Sequence, residues 1–318
     1  MKKRIFETAL FSLILIMLIV CLYLFRLIRD KRSQAKPLPS DISMMVTEAT
    51  AASRLKNFYD LKPGRTVTEK PDWLGKEVVN TINALGWHDT GHYEPEKKSG
   101  TFRIIALGDS HTYGIYVESD ANWTEILEKK LNESLKCARI SNFEVLNLAV
   151  PGYDAEYALE KFRRQGEIYK PDLVIWLLNN WNFSKINEIY TPLKRKYRDL
   201  GYPEFDPDKG PVASNLAIAE GEKIWKDYIN SYQAKVLADF RRIYLGKTLF
   251  LSYTGIEQAY RDLISRQTSE PDVYYFSELE MNDGRRLADN HPNEAGHDYL
   301  AGTTFGLIMD YFCAPSVL

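Results

Sequence analysis

The chain has 318 residues, 45% hydrophobic and 13% aromatic, with a formal net charge of −2. That length and apolar content suffice for one α/β domain with a sizeable core, and the near-neutral balance offers nothing that would draw the chain to nucleic acid. Of the three cysteines, Cys137 and Cys313 lie too far apart in sequence to suggest a disulfide framework, and sequence alone assigns them no bridge.

Ala9 to Phe25 is an unbroken apolar run apart from Ser12. With Ile5, Phe6, Leu27 and Ile28 it approaches the roughly 20 residues of a bilayer span. Lys2, Lys3 and Arg4 give it the basic start of a signal sequence, and no small-x-small cleavage site follows directly. Residues 5–28 are therefore expected to form an uncleaved transmembrane signal anchor, with a cleaved signal peptide as the alternative. Cys21 reads as a residue of this span, because Val20 stands where a lipoprotein box has a small residue. Arg26, Arg29, Lys31, Arg32 and Lys36 outnumber the basic residues before the span, which by charge alone favours a cytoplasmic C-terminal domain.

Residues 29–70 turn polar, with Pro37, Pro39, Pro63 and Gly64, as a juxtamembrane stalk would, with a helix about Val46 to Phe58. An α/β domain is expected over 71–318. Val78, Val79, Ile82 and Leu85 have helical spacing, with Gly86 placed to end that helix. Phe102 to Leu107 then reads as a buried strand breaking abruptly into Gly108-Asp109-Ser110. Trp123, Ile126, Leu127 and Leu131 mark one helix face, and Phe143, Val145, Leu146 and Leu148 a second strand. Asp154 is placed to cap a helix carrying Ala155, Ala158, Leu159 and Phe162. Leu173 to Leu178 is continuously apolar, as in a strand covered on both faces, and ends in Asn179-Asn180-Trp181-Asn182.

Between about Ser184 and Arg242 the pattern changes to an insertion, with a long helix expected from Asn215 to Phe240, that would form a cap or side wall. Thr248 to Tyr253 and Val273 to Phe276 read as strands around a helix at Ile256 to Ile264. A loop from Leu287 to Asn293 leads into a last amphipathic helix. Strands alternating with helices predict a doubly wound parallel α/β sheet with right-handed crossovers. Chemistry is then expected at the C-terminal ends of its strands.

A serine nucleophile needs a base within hydrogen-bond reach, a group to orient the base, and donors for the oxyanion. Ser110, His291 with Asp289 beside it, and the Gly152 backbone N–H are the candidates for these parts.

Gly108-Asp109-Ser110-His111-Thr112-Tyr113-Gly114, Asn147 through Gly152, the Pro171 strand ending in asparagines, and Asp289-Asn290-His291-Pro292-Asn293 followed by Gly296-His297 resemble, in order, the four sequence blocks of the SGNH/GDSL hydrolase superfamily. Asn83-Ala84-Leu85-Gly86-Trp87 is similar to the segment before the serine block in a membrane-anchored bacterial branch. The resemblance covers about Tyr59 to Phe312. It implies a flavodoxin-like sheet, acyl-ester chemistry without cofactor or metal, and a single-pass protein whose domain lies on the extracytoplasmic side. By position it implies Ser110 as nucleophile and, through its N–H, oxyanion donor, with Gly152 as second donor, His291 as base and Asp289 as orienter.

Two departures stand out. The family's aspartate lies three residues before the histidine, where this chain has Ala288, so the orienter is Asp289 or a more distant group such as Asp283. Ungapped counting in the third block puts Trp181 at the oxyanion asparagine, leaving Asn180 or Asn182 after a shift of one residue.

Structural roles compete for several of these residues. Asp289 and Asn293 are good caps for the last helix. Asn179, Asn180 and Asn182 would also serve as a hydrogen-bonded loop, His297 as a packed helix residue, His111 as a pocket or surface residue, and Trp123, Trp176 and Trp181 as core. The leading expectation is a membrane-anchored esterase or deacylase acting on an acyl ester of a cell-envelope glycan or lipid. An O-acyltransferase using the same acyl-enzyme and a non-catalytic envelope binding or scaffold protein are the alternatives.

Overall fold

The computed structural model describes Met17 and residues 46–48, 55–134, 137, 140–204, 206, 209–269 and 274–313. The membrane span expected at residues 5–28 lies, Met17 apart, outside the described residues. Among the described residues no helix is long and apolar enough to cross a membrane.

The N-terminal part of the domain differs from the sequence expectation. Instead of a helix about Val46 to Phe58, β1 (Val46–Glu48) pairs antiparallel with β2 (Tyr59–Leu61). Residues expected to belong to a stalk ending at 70 are part of the fold, since Leu55, Phe58, Leu61 and Val67 are buried in the main core. A second hairpin joins β3 (Arg65–Glu69) to β4 (Val78–Ile82). The expected helix over Val78 to Leu85 is thus a strand. Val78, Asn80 and Ile82 are buried while Val79 and Thr81 are exposed, a period of two that suits β-branched side chains on a half-buried surface.

The central sheet contains β5 (Thr101–Leu107), β6 (Asn142–Asn147), β7 (Leu173–Leu177), β8 (Lys247–Tyr253) and β9 (Tyr274–Leu279) in the spatial order β6-β5-β7-β8-β9. All four pairings are parallel. The order reverses at β5, so the crevice between the ends of β5 and β7 is the topological switch point where such sheets bind ligands.

Alternate residues of each strand feed two cores, one on each side of the sheet. Ile105, Leu107, Val174, Trp176 and Phe250 face one layer, and Ile104, Ala106, Leu173, Ile175, Leu177, Leu249 and Leu251 the other. This two-sided burial explains the continuous apolar runs. The helices are α1 (Ser110–Tyr113), α2 (Trp123–Ser134), α3 (Ala155–Lys161), α4 (Asn180–Phe183), α5 (Asn187–Asp199), α6 (Val212–Trp225), α7 (Ile229–Ile243), α8 (Gln258–Ser265) and α9 (Glu294–Ile308). α3, α7 and α8 cover the first face through residues such as Leu159, Phe240 and Leu263. α2 and α9 cover the second through Leu127, Leu131, Leu300 and Ile308. Truncating a buried anchor such as Trp176 to alanine would cost about 3–5 kcal/mol.

The long helix expected from Asn215 to Phe240 is two helices, α6 and α7, separated by a turn at Lys226 to Tyr228. The turn allows Trp225 and Ile229 to enter a small separate core with Ile186, Tyr190 and Ala217. Cys137 and Cys313, which sequence left unpaired, form a disulfide with Cα atoms 4.7 Å apart. Packing of α9 on α2 brings the two distant segments together.

Candidate active site

Ser110 opens α1 directly after β5, and the fold there is set by its two neighbours. A Cβ on Gly108 would collide with the Thr112 side chain and lie 3.2 Å from the Leu177 carbonyl, so only glycine lets β5 turn this tightly. Asp109 caps α1, its Oδ1 accepting from the His111 N–H at 3.0 Å. Its Oδ2 accepts from Asn179 Nδ2 at 3.1 Å and Asn182 Nδ2 at 3.2 Å. The buried Asp109 thus ties the serine turn to the end of β7. As the first residue of α1, Ser110 keeps an N–H with no intrahelical acceptor.

His291 Nε2 lies 2.8 Å from Ser110 Oγ, and His291 Nδ1 lies 2.7 Å from Asp289 Oδ2. A carboxylate only accepts, so Nδ1 carries the hydrogen and Nε2 is the acceptor for the serine hydroxyl. Burial works to raise the Asp289 carboxyl, but the hydrogen bonds it accepts from the His291 ring and backbone and its electrostatic interaction with that ring prevail and hold it below the ordinary aspartate value. The carboxylate therefore stays ionised beside the ring. The His291 and Asp289 side chains are 21% and 17% exposed, which leaves the relay open to a substrate.

The aspartate reaches the histidine from two residues away because the backbone folds back on itself. Asn290 has φ +72°, a conformation asparagine tolerates better than most residues. Asp289 Oδ1 also accepts from the His291 N–H at 3.2 Å, and the Leu287 N–H donates to the His291 carbonyl at 2.7 Å. No contact joins Asp283 to His291 among the described residues. Asn293 N-caps α9, accepting from the Gly296 N–H at 3.0 Å.

The third block is arranged differently from the expectation. Asn180 is bound to the loop after β8: its Oδ1 accepts from the Glu257 N–H at 2.8 Å and its Nδ2 donates to the Gly255 carbonyl at 3.4 Å. Asn182 is fully buried, donating to Asp109 Oδ2 and to the Tyr153 carbonyl at 3.0 Å while accepting from the Asn179 N–H at 2.8 Å. The Asn182 amide, assigned with Asn180 from sequence to the oxyanion, is thus committed elsewhere, because Asn179 and Asn182 form a capping box on α4, while Asn180 bridges to Gly255 and Glu257. The hydrogen-bonded-loop reading describes all three asparagines.

Gly152 has φ +84° and follows Pro151 in a turn closed by the Tyr153 N–H on the Val150 carbonyl at 3.3 Å. Among the described residues its N–H donates to no acceptor. The Ser110 N–H likewise has no intrahelical acceptor.

Two further side chains complete the surroundings: His111, for which the sequence left a pocket or a surface place open, and Tyr116, which sequence reasoning missed. His111 packs against His291 with ring centroids 4.9 Å apart, and its Nδ1 lies 3.1 Å from the Tyr253 hydroxyl. Burial pulls His111 down to about 4, so it is neutral at pH 7. Tyr116 meets the other side of His291 edge-on at 5.9 Å. Aromatic residues near a strand end carry no spacing signal that would separate them from core. His297 is fully buried and accepts from the Trp123 N–H at 3.2 Å, a packing role. Trp123 and Trp176 are core, and Trp181 packs against the small core beside α5.

No model of a known protein family matches the chain, and no curated protein matches it in sequence. Solved structures do align with it. TesA aligns at 14% identity over 66% of this chain and 99% of that one, with a TM-score of 0.42. A psychrotrophic esterase, EstA from Pseudoalteromonas sp., aligns at 12% identity over 66% and 97% of the two chains, with a TM-score of 0.41. A carbohydrate esterase family 2 enzyme with a carbohydrate-binding domain from Corynascus thermopiles aligns at 15% identity over 70% of each chain, with a TM-score of 0.40. At this distance, roles for residues come from the geometry of this chain itself.

Proposed function

We propose that this chain is a serine esterase or deacylase of the SGNH/GDSL type. The observation that carries the reading is the unbroken relay from Ser110 Oγ through His291 to Asp289, with steps of 2.8 and 2.7 Å. It favours an enzyme over a binding or scaffold role, since a cleft kept only for binding has no need of a base aimed at a serine.

His291 Nε2 takes the proton from Ser110 as Oγ bonds to the acyl carbon, and the carbonyl electron pair moves onto oxygen. The Ser110 and Gly152 N–H groups are the donors for that oxyanion. Collapse breaks the ester C–O bond, and the imidazolium hands its proton to the departing alcohol. Water then attacks the acyl-enzyme, giving a proton to His291, and the second collapse returns that proton to Ser110 and releases the acid. Asp289 holds the tautomer and the charge of the ring throughout. Incubating the full chain with p-nitrophenyl acetate is expected to give a transient acetyl adduct on Ser110, visible by mass spectrometry. An adduct elsewhere, or none, would contradict the reading. Acetate as sole product indicates hydrolysis, and an acetylated added glycan indicates transfer through the same intermediate.

The proposed substrate is an acyl ester of a cell-envelope glycan or lipid, with residues 5–28 as the anchor and the domain on the extracytoplasmic side. The Cys137–Cys313 disulfide supports this placement, because such bonds persist in oxidising compartments. Protease added to intact cells should digest the domain, and full protection until the membrane is broken would place it inside.

A further inference from the structure

We infer that Tyr59, on the N-terminal hairpin, is a positioning residue that fixes the direction of the Gly152 N–H and so builds the second half of the oxyanion hole. This rests on the esterase reading above and adds to it a residue outside all four sequence blocks.

The Tyr59 hydroxyl donates to the Pro151 carbonyl at 2.9 Å. That carbonyl belongs to the same peptide unit as the Gly152 N–H. No cis peptide bond occurs among the described residues, so the two groups point in opposite directions across a rigid plane. Proline followed by a glycine at positive φ, closed by Tyr153 N–H on the Val150 carbonyl, is the pattern of a type II turn. Types I and II differ by a flip of the central peptide, here Pro151–Gly152, and the flip would reverse the N–H. Tyr59 stabilises one of these two states. Donation to the carbonyl also polarises the N–H on the same unit, strengthening it as a donor.

The clamp is built on both sides of the glycine. Its own carbonyl accepts from Lys185 Nζ and Asn187 Nδ2, each at 3.0 Å, and Lys185 is fully buried. Tyr59 is held in turn by its ring contacts with Tyr153 and Tyr157, at 5.3 and 5.8 Å, and by the Tyr153 hydroxyl, which donates to the Tyr59 carbonyl. A Cβ on Gly152 would stand 2.7 Å from the Tyr59 hydroxyl, so the approach requires glycine.

The test compares Tyr59→Phe with Tyr244→Phe and Ser110→Ala in the full chain, using p-nitrophenyl acetate turnover and inhibition by phenylboronic acid, a mimic of the tetrahedral adduct. Tyr59→Phe is expected to lower kcat roughly 10-fold, short of the loss from deleting an oxyanion donor outright, with KM unchanged and boronate affinity falling in step. Tyr244→Phe removes a tyrosine hydroxyl that donates to the Pro171 carbonyl at 3.3 Å, at the opposite end of β7 from the asparagines, and is expected to lower thermal stability without lowering kcat. A Tyr59→Phe protein with wild-type kcat and boronate affinity per folded molecule overturns the inference, as does an equal kcat loss in Tyr244→Phe. If Ser110→Ala abolishes turnover while Tyr59→Phe is unaffected, the inference alone fails. If Ser110→Ala remains active, the esterase reading fails with it.

Discussion

Asp289 holds His291 by two oxygens at once, Oδ2 on the ring Nδ1 at 2.7 Å and Oδ1 on the backbone N–H at 3.2 Å. The double grip explains how an aspartate two residues before the histidine can orient it. Asp289→Asn would place an amide where the ring needs an acceptor and favour the wrong tautomer, so kcat/KM is expected to fall by roughly 10³-fold. Asp283→Ala is expected to leave it unchanged. Steady-state assays on both variants check the assignment, and a large loss in Asp283→Ala would move the orienter there.

The asparagines at the end of β7 separate in the same way. Asn182→Ala removes a buried donor from Asp109 and from the Tyr153 carbonyl, which is expected to cost about 1–3 kcal/mol of stability. Loosening Asp109 should also lower kcat, because that residue caps the turn carrying Ser110. Asn180→Ala loses contacts only to Gly255 and Glu257 and is expected to keep kcat near wild type. Thermal melts and turnover measured together decide this. A collapse of kcat in Asn180→Ala with normal stability would restore that residue to the oxyanion hole.

Three buried histidines set the acid side of the stability profile. Burial pulls His88 down to about 4, partly opposed by its contact with the Tyr113 carbonyl. Burial likewise holds His111 at about 4 and His297 at about 3. Unfolded, each titrates near 6.5. Between about 6.5 and 4 the unfolded chain therefore binds more protons than the folded one, so their contribution is intact above pH 6.5 and is lost as pH falls. Glu128, raised by burial to about 7, acts with the opposite sign, its protonated form being favoured in the fold. Denaturant melts from pH 7 to 4 should show a steeper decline in wild type than in His88→Gln, and equal slopes would contradict the assignment.

Much of this architecture is legible in the sequence because the same physics writes both. The run Leu173 to Leu177 reads as a doubly covered strand and is one, with every residue buried. Asp154 reads as a cap and accepts from the Tyr157 N–H at 2.9 Å. The strand at Val78 to Ile82 was ambiguous, since five residues with apolar positions at both helical and alternating spacing fit either period until β3 supplies a partner. The partners of the asparagines were hidden for a related reason. Spacing along the chain cannot tell which amide a capping box consumes, and Asn179 and Asn182 consume each other. Tyr59 was illegible altogether, as its role depends on a hairpin folding 92 residues away in sequence onto Pro151.

Turnover of p-nitrophenyl acetate by the full chain and by its Ser110→Ala variant tests the central claim most directly. The wild-type chain is expected to hydrolyse the ester and to be labelled by a fluorophosphonate probe on Ser110. Ser110→Ala is expected to lose at least about 10³-fold in kcat and all labelling while melting like wild type. Undiminished turnover in the folded Ser110→Ala variant would contradict the account.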